Sequence, residues 1–581
     1  MKVHSKYLYR INLILLAIVF LNTVIVIVTG GYRISLGFLT LSSHSAEKSL
    51  LLLVALALLI RVFFLRKAGL GQEKTSARTP GTEYHLSGAK IAAVLLLILV
   101  AVFGVYHKTV NAFFVSDDFE YLSLFRTSHG LSFDSLFGFM KGSGLIRPVA
   151  LASKWLGYIL WGFDPRGYHL MNLLLHAANS FLVFLILYSL RRKYILSAFG
   201  ALLFAVYPVH QEAVAWISGR ADLLCGFFSL LALYLYLLSR KESARQSAYA
   251  SLSLVAFLLA LGSKEIAITL PLAIILLDCL VPHEGKRWRL RKMKFYVPYF
   301  VMLAGYIALR IIFLGNLGGY LEEQRSFFRL GPGFFYDLRN LVTRPFAALA
   351  VPLNRAVFAN PDLLRAGFLL LIATVVTLLA LRKRKISPLI GLGASLTVIA
   401  VLPAFRILFV SADMQGSRHL YLAALGAAMI IAGAAESLYS SSRRTIPAWP
   451  VIGSFIFLGF LTGISYVQTT PWVRAADLSK KIVEDGSHSL APVRPGTTVY
   501  VLDLPDNVQG AYVFRNGFPS AMHLAGISDD VHIVELRKIS PSEIVKRDAN
   551  LVLQWRGTEF SLSEWTFDQM ISAAKKGQTI S

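Results

Sequence analysis

Stretches of apolar residues long enough to cross a bilayer recur along almost the whole chain, and this repetition constrains the fold more than any other feature. A hydrocarbon core takes roughly 18 to 20 consecutive apolar residues of helix, a length that soluble core helices rarely need. Thirteen such runs are present, at 11–29, 49–65, 89–106, 168–190, 194–208, 221–239, 246–262, 264–281, 295–314, 366–381, 386–405, 419–439 and 446–467. They have to face lipid, because 55% hydrophobic residues and a mean hydropathy of +0.59 exceed what a globular core buries. The first run is read as an anchor and not as a cleavable signal: it is long, no small-residue cleavage site follows it, and a second span comes soon after.

Lysine and arginine in short loops resist translocation, so their positions orient the spans. With the N-terminus inside, Lys2, Lys6 and Arg10 are cytoplasmic, followed by Arg66, Lys67, Lys74 and Arg78, then Arg191-Arg192-Lys193, then Arg240, Lys241 and Arg245. The densest cluster, Lys286, Arg287, Arg289, Arg291, Lys292 and Lys294, also lands inside, as do Arg382-Lys383-Arg384-Lys385 and Arg443-Arg444. This topology uses most of the clustered cations. The formal charge of +25 therefore does not point to nucleic acid, for which no aromatic and basic recognition module is present. Cys225 and Cys279 both fall within spans at no metal-type spacing and read as small core residues.

The same parity places three long segments, 107–167, 315–365 and 468–581, on the far face, where function is expected. Counting Leu145 to Phe163 as a span would turn every later basic loop outward, so it is read as an interfacial or re-entrant helix with Trp155, Tyr158 and Trp161 at headgroup level. Residues 334–358 read as an amphipathic surface helix. The tail from 468 reads as a small soluble α+β domain: strand-like runs at 498–502, 511–514 and 532–536 are separated by turn residues, and Pro541-Ser542-Glu543 starts a short helix. The expected division is a two-span anchor with a basic linker (1–88), an all-α polytopic bundle (89–467) and an extracytoplasmic α+β domain (468–581).

Ionisable residues gather at the ends of spans on that far face. Asp117 and Asp118, in Ser116-Asp117-Asp118-Phe119-Glu120, offer a general base or a divalent-cation site; the alternative, which residue chemistry alone favours, is a helix N-cap on a wet loop. His169, Asn172, His176 and Asn179 share one helix stripe, either interhelical hydrogen-bonding glue or, for His169 at the outer end, a substrate contact. The loop 207–222 carries His210, Glu212, Arg220 and Asp222, which serve as acid, base and anion-binding groups or as a self-contained salt-bridged turn. Lys264 and Glu265 sit at another outer junction, and Arg418, His419 and Tyr421 enter the twelfth span. Lys264, Arg418 and His419 suit a phosphate at the membrane surface, with headgroup snorkelling as the alternative.

Taken together and in order, these pieces resemble a known family. Asp117-Asp118 is similar to the acidic motif of the multi-spanning GT-C glycosyltransferases. Ile146-Arg147-Pro148-Val149, Tyr168-His169-Leu170-Met171-Asn172 with His176, Val209-His210-Gln211-Glu212 through Trp216 with Gly219-Arg220-Ala221-Asp222, Ser263-Lys264-Glu265 and Ser417-Arg418-His419-Leu420-Tyr421 look like the membrane half of the transmembrane-and-tetratricopeptide-repeat O-mannosyltransferase-like proteins and their bacterial relatives. The resemblance covers roughly 105 to 440. Tyr207 stands where a His is expected, and no helical repeat of about 34 residues follows the last span. Leu504-Pro505-Asp506-Asn507 through Asn516-Gly517 looks like a tail of uncharacterised bacterial members, which implies a bacterial inner membrane protein with a cytoplasmic N-terminus and a periplasmic tail.

The resemblance implies an inverting transfer of sugar from a polyprenyl-phosphate carrier to a hydroxyl of a glycan, lipid or protein acceptor. One of Asp117 and Asp118 would take the hydroxyl proton. Arg418, with Lys264 or Arg220, would neutralise the departing phosphate, and Arg147, His169, Asn172, His210, Glu212, Asp222, Glu265 and Tyr421 would complete the substrate site. No nucleotide-sugar site is expected, since no phosphate-cradling glycine loop is present. Two other classes share the composition: a lipid or glycan transporter or flippase, and a non-catalytic assembly partner working through its tail. Transporter sites lie at the midplane between inverted repeats, whereas these ionisable residues gather at the outer face.

Overall fold

The computed structural model describes residues 21, 32–36, 39–43, 86–127, 133–240, 245–280, 293–315, 345–381, 386–404, 410–439, 448–536 and 550–562. The predicted span 49–65, all of 11–29 except Leu21, the basic loops at 286–292, 382–385 and 443–444, and Pro541-Ser542-Glu543 lie outside the described residues.

Among the described residues seven helices are long and apolar enough to cross a membrane: Gly88–Asn111, Pro165–Arg191, Ile217–Ser239, Gln246–Ser263, Phe295–Leu314, Pro361–Leu381 and Val451–Leu490. Tyr194–Ala205 and Pro208–Ala215, bent by 42°, make an eighth if the pair is one crossing. The helix Gly88–Tyr106 shows why these face lipid. Val94, Ile98, Val102 and Val105, at helical spacing, are at most 1% exposed, while Leu96 and Val100 on the opposite face are each 62% exposed. Apolar residues line both faces, so the chain is a multi-pass membrane protein.

Three predicted spans fall short of that length. The run 264–281 divides into a 3-10 turn, Glu265–Thr269, and the helix Leu270–Leu280. The run 419–439 becomes the 3-10 turn Ser417–Leu420 and the helix Ala424–Tyr439, and the run 386–405 holds only Pro388–Val401 as α-helix. Hydropathy counts apolar residues and is blind to a helix whose end unwinds, and in the first two runs the unwound end carries ionisable candidates. The helices Pro388–Val401 and Ala424–Tyr439 cross backbone to backbone: a Cβ on Gly426 would lie 2.2 Å from the Gly393 carbonyl oxygen.

The helix Pro165–Arg191 runs through the centre of the bundle and, at 27 residues, separates its two ends by about 40 Å. At one end Arg191 and Lys193 both reach Glu436, at 2.6 and 2.8 Å, and Arg240 pairs with Asp278 at 2.9 Å. These are cations that the charge reading puts on one face. Asp117, Glu212 and Arg418 gather at the other end.

The segment 107–167 is helical over Asp118–Thr127, Phe133–Ser143 and Pro148–Trp161. The last is too short to cross and is turned inside out, with Lys154 buried and Leu156, Ile159 and Leu160 exposed. Beyond 468 the last span does not end. It continues as Thr470–Leu490, an amphipathic helix that buries Trp472, Ala475, Ala476, Ser479, Ile482, Gly486 and Leu490. A four-stranded sheet follows, in which Thr498–Leu502 lies between and parallel to His532–Glu535 and Asn550–Trp555, and Phe560–Leu562 runs antiparallel to Asn550–Trp555 at the edge. The expected strand at 511–514 is reduced to Ala511–Tyr512, paired with Asn507–Val508. The core of the tail is continuous with the first outer segment: Phe114, Phe119 and Leu122 pack with Val499, Phe514 and Phe518, and the Phe119 and Phe514 rings stack 5.6 Å apart.

Candidate active site

Leaving its first described span, the chain runs extended to Ser116, whose φ of +50° turns it sharply before the helix Asp118–Thr127. That turn sends the two adjacent carboxylates in different directions. Asp118 goes inward: it is 3% exposed, one oxygen accepts from Ser218 Oγ at 2.6 Å, and the other accepts from the Val115 N–H at 3.1 Å. Asp117 is half-buried and lines a cleft, with one oxygen accepting from Asn516 Nδ2 at 2.9 Å and from Ser116 Oγ at 3.2 Å. Burial pushes the Asp118 carboxyl above the usual carboxylate range, against the pull of its hydrogen bonds and of Lys154. Burial equally pushes the Lys154 ammonium below the usual lysine range.

The cleft is walled by Asp117, Tyr121, Leu145, Arg147, Lys154, Trp216, Ser218, Asp222, Lys264 and Arg418 among others. Arg147 forks onto Glu265 at 3.0 and 2.6 Å. Lys264 pairs with Asp222 at 2.6 Å, both buried. Arg418 pairs with Glu212, which also accepts from the Arg418 N–H at 3.1 Å and from the Tyr512 hydroxyl at 3.0 Å, and the guanidinium lies 5.1 Å from the Trp216 ring centre. Among the described residues no carboxylate is within ion-pair distance of Lys154. Its ammonium stands 3.1 Å from the centre of the Tyr121 ring and donates to Ser218 Oγ at 3.4 Å. Asp117 likewise has no cation at ion-pair distance among the described residues. Among the described residues the cleft thus holds one carboxylate and one ammonium that are not neutralised by direct contact, each set in a wall of paired charges.

The remaining sequence candidates stand behind that wall. Arg220 is 1% exposed; its Nε donates to Asn172 Oδ1 at 2.9 Å and its Nη2 to the Tyr168 carbonyl at 2.7 Å, so it ties helices together and does not line the cleft. Asn172 donates to the Trp216 carbonyl at 2.9 Å, and His169 Nε2 lies 3.0 Å from the Ala112 carbonyl. Tyr421 packs against Gly226, with its hydroxyl 2.8 Å from both Asn179 Nδ2 and His176 Nδ1. The His210 ring sits 4.6 Å from the Phe204 and Tyr421 ring centres, and neither of its nitrogens has a hydrogen-bond partner among the described residues. The predicted stripe is interior to the bundle. Among the described residues no group of three or more His, Cys, Asp or Glu is placed to hold a metal ion.

Sequence reasoning missed Lys154, Tyr121, Ser218, Tyr512 and Asn516. Lys154 had a signal, being the one charge in the apolar stretch 148–161. Asn516 had none, because its contact is with a residue 399 positions away.

No family model matches the chain. Over 217 residues it is 37% identical to the protein O-mannosyl-transferase Tmtc1 of Drosophila melanogaster, a match covering 35% of this chain and 25% of that one. Over 131 residues it is 39% identical to the protein O-mannosyl-transferase TMTC4 of Homo sapiens, covering 20% and 18%. The chain resembles the protein O-mannosyl-transferases. A third O-mannosyl-transferase, from Caenorhabditis elegans, is 28% identical over 306 residues, covering 49% of this chain and 41% of its own length. The chain thus spans less than half the length of each of these O-mannosyl-transferases. Among solved structures, ArnT from Cupriavidus metallidurans bound to undecaprenyl phosphate aligns over 81% of this chain and 94% of its own, with a TM-score of 0.40 and 13% identity. The oligosaccharyltransferase AglB from Archaeoglobus fulgidus aligns over 80% and 69%, with a TM-score of 0.43 and 10% identity.

Proposed function

We propose that this chain is a membrane glycosyltransferase that moves a sugar from a polyprenyl-phosphate carrier to an acceptor hydroxyl on the extracytoplasmic face, with inversion. The observation that carries the reading is the cleft in which Asp117 and Lys154 stand without ion-pair partners among the described residues, at the end of an apolar bundle, the position a lipid phosphate would take. The names of the O-mannosyl-transferases that the chain resembles support it.

In this account the acceptor oxygen attacks the anomeric carbon while Asp117 takes the hydroxyl proton. The bond from that carbon to the phosphate oxygen breaks, and its electron pair leaves with the lipid phosphate. Lys154 and Arg418, both largely withdrawn from water, neutralise the charge that develops there, since fixed charges act most strongly where solvent is excluded. Asp118, buried and doubly hydrogen-bonded, holds the turn that aims Asp117. A divalent cation at this site would take one protein carboxylate, Asp117, and draw its other oxygens from phosphate and water, a coordination that Mg²⁺ favours.

The test is mass spectrometry of extracytoplasmic glycans and glycoproteins from cells with and without the chain. A sugar residue lost on deletion and restored by the intact gene, but not by an Asp117→Asn version, is the expected result. Identical glycans in all three cell lines count against an enzyme, and favour a carrier-lipid transporter or a non-catalytic partner.

A further inference from the structure

The C-terminal segment makes contacts that a tethered module does not need. Gly510, at φ +92°, presses so closely on the turn before Arg418 that a Cβ there would lie 2.1 Å from the Asp413 carbonyl oxygen. Gly517, at φ +86°, presses on Ser116 in the same way, a Cβ being 2.4 Å from the Ser116 carbonyl oxygen. Both positions demand glycine, for conformation and for space. Between them the Ser116 N–H donates to the Val513 carbonyl at 2.8 Å, and just before Gly510 the Gln509 carbonyl accepts from Asn354 Nδ2 at 2.8 Å. The segment is therefore docked by its backbone on both arms of the cleft, next to Arg418 on one side and Asp117 on the other.

Two of its side chains then reach the reacting groups. The Tyr512 hydroxyl donates to Glu212 at 3.0 Å and accepts from Arg418 Nη1 at 3.2 Å, its ring held between Trp216 and Trp472 at centre distances of 5.0 and 6.0 Å. Asn516 Nδ2 donates to Asp117 at 2.9 Å while its own N–H donates to Ser116 Oγ at 3.3 Å. An amide is suited to this position. It fixes a carboxylate by a neutral donor, where a lysine or arginine would pair with the base and blunt it.

We infer that residues 509–517 complete the active site, Asn516 acting as the positioning residue of Asp117 and Tyr512 as that of Arg418. This rests on the glycosyl-transfer reading above. The tail is then a working part of the enzyme and not an appended domain.

The test is steady-state turnover of polyprenyl-phosphate mannose by the full-length purified chain, with membrane extract as acceptor. Asn516→Ala is expected to lower kcat by about 10- to 100-fold with donor KM within about twofold, the effect of a misplaced reacting group. Asn516→Asp keeps the shape but sets a second anion against Asp117, and is expected to fall below Asn516→Ala. Tyr512→Phe is expected to raise donor KM about 3- to 10-fold with kcat nearly unchanged, the loss of one hydrogen bond. A packing role would reverse the order of the two Asn516 variants, or would move kcat, KM and thermal stability together, and either result overturns the inference. Wild-type turnover in all three variants overturns it while leaving the transfer reading intact. No turnover by the unaltered chain removes both.

Discussion

Burying an ammonium costs several kcal/mol unless something nearby repays it, and among the described residues what faces Lys154 is a serine hydroxyl, an aromatic ring and, farther off, the carboxylates of Asp118 and Asp117 and the guanidinium groups of Arg220 and Arg147. A residue kept for function at the expense of stability behaves distinctively when removed. Lys154→Met, which keeps the volume, is expected to weaken binding of polyprenyl phosphate about 10- to 100-fold, the loss of one charged hydrogen bond, while the melting temperature in detergent stays level or rises. Lower stability with unchanged phosphate binding would make Lys154 a structural partner of Asp118. At this scale the sequence was informative about which residue types gather, and silent about where they point. Asp117 and Asp118 are one motif in sequence, yet the left-handed turn at Ser116 sends one to the cleft and the other to Ser218. Arg220 and Arg418 look alike as cations at span ends, and only packing shows that the first is enclosed by Asn172 and Tyr168.

Spans with uninterrupted apolar faces, such as 89–106 and 168–190, were legible from hydropathy to within a few residues. Elements that unwind toward the site were not, since residues such as 264–269 and 417–420 read as a continuation of the apolar run, and the partners of their charged side chains, Asp222 for Lys264 and Glu212 for Arg418, are distant in sequence. The short helices Pro388–Val401 and Ala424–Tyr439 depend on the close crossing at Gly393 and Gly426, where backbone meets backbone and no side chain can yield. Gly426→Ala is therefore expected to destabilise by at least the ~1–3 kcal/mol typical of overpacking, read as a fall in melting temperature and in folded yield. Gly459→Ala, whose Cβ meets nothing within 4 Å, is the control and should melt like the unaltered chain. Equal behaviour of the two would mean that this crossing is looser than described. In the tail, 498–502 and 532–535 were readable as strands from their β-branched runs. The helix Thr470–Leu490 was not anticipated, because it follows a span without a break and its apolar stripe packs both on the tail that follows and on residues of the first outer segment.

For the whole molecule, the charge reading and the packing agree in one respect: Arg191, Lys193 and Arg240 gather at the end of the bundle opposite the cleft. Reporters fused after residues 110, 212, 320 and 470 are expected to be extracytoplasmic, and those after 192, 288, 383 and 443 cytoplasmic. A cytoplasmic reporter after 470 would put the cleft on the wrong face for the proposed donor. The union of tail and bundle was illegible in sequence, since it is built from contacts between residues 114–122 and 499–518 that no local pattern announces. The proposed step is cleavage of the sugar–phosphate bond in this assembled cleft with Asp117 as base, and single-turnover release of polyprenyl phosphate from polyprenyl-phosphate mannose measures that step. Asp117→Asn is predicted to slow release by about a hundredfold or more, with membrane insertion and melting temperature unchanged, whereas Asp118→Asn keeps most of the rate. Full-rate release by Asp117→Asn, Asp118→Asn and the double variant alike would contradict the account and send the search for the base to Glu212 and His210.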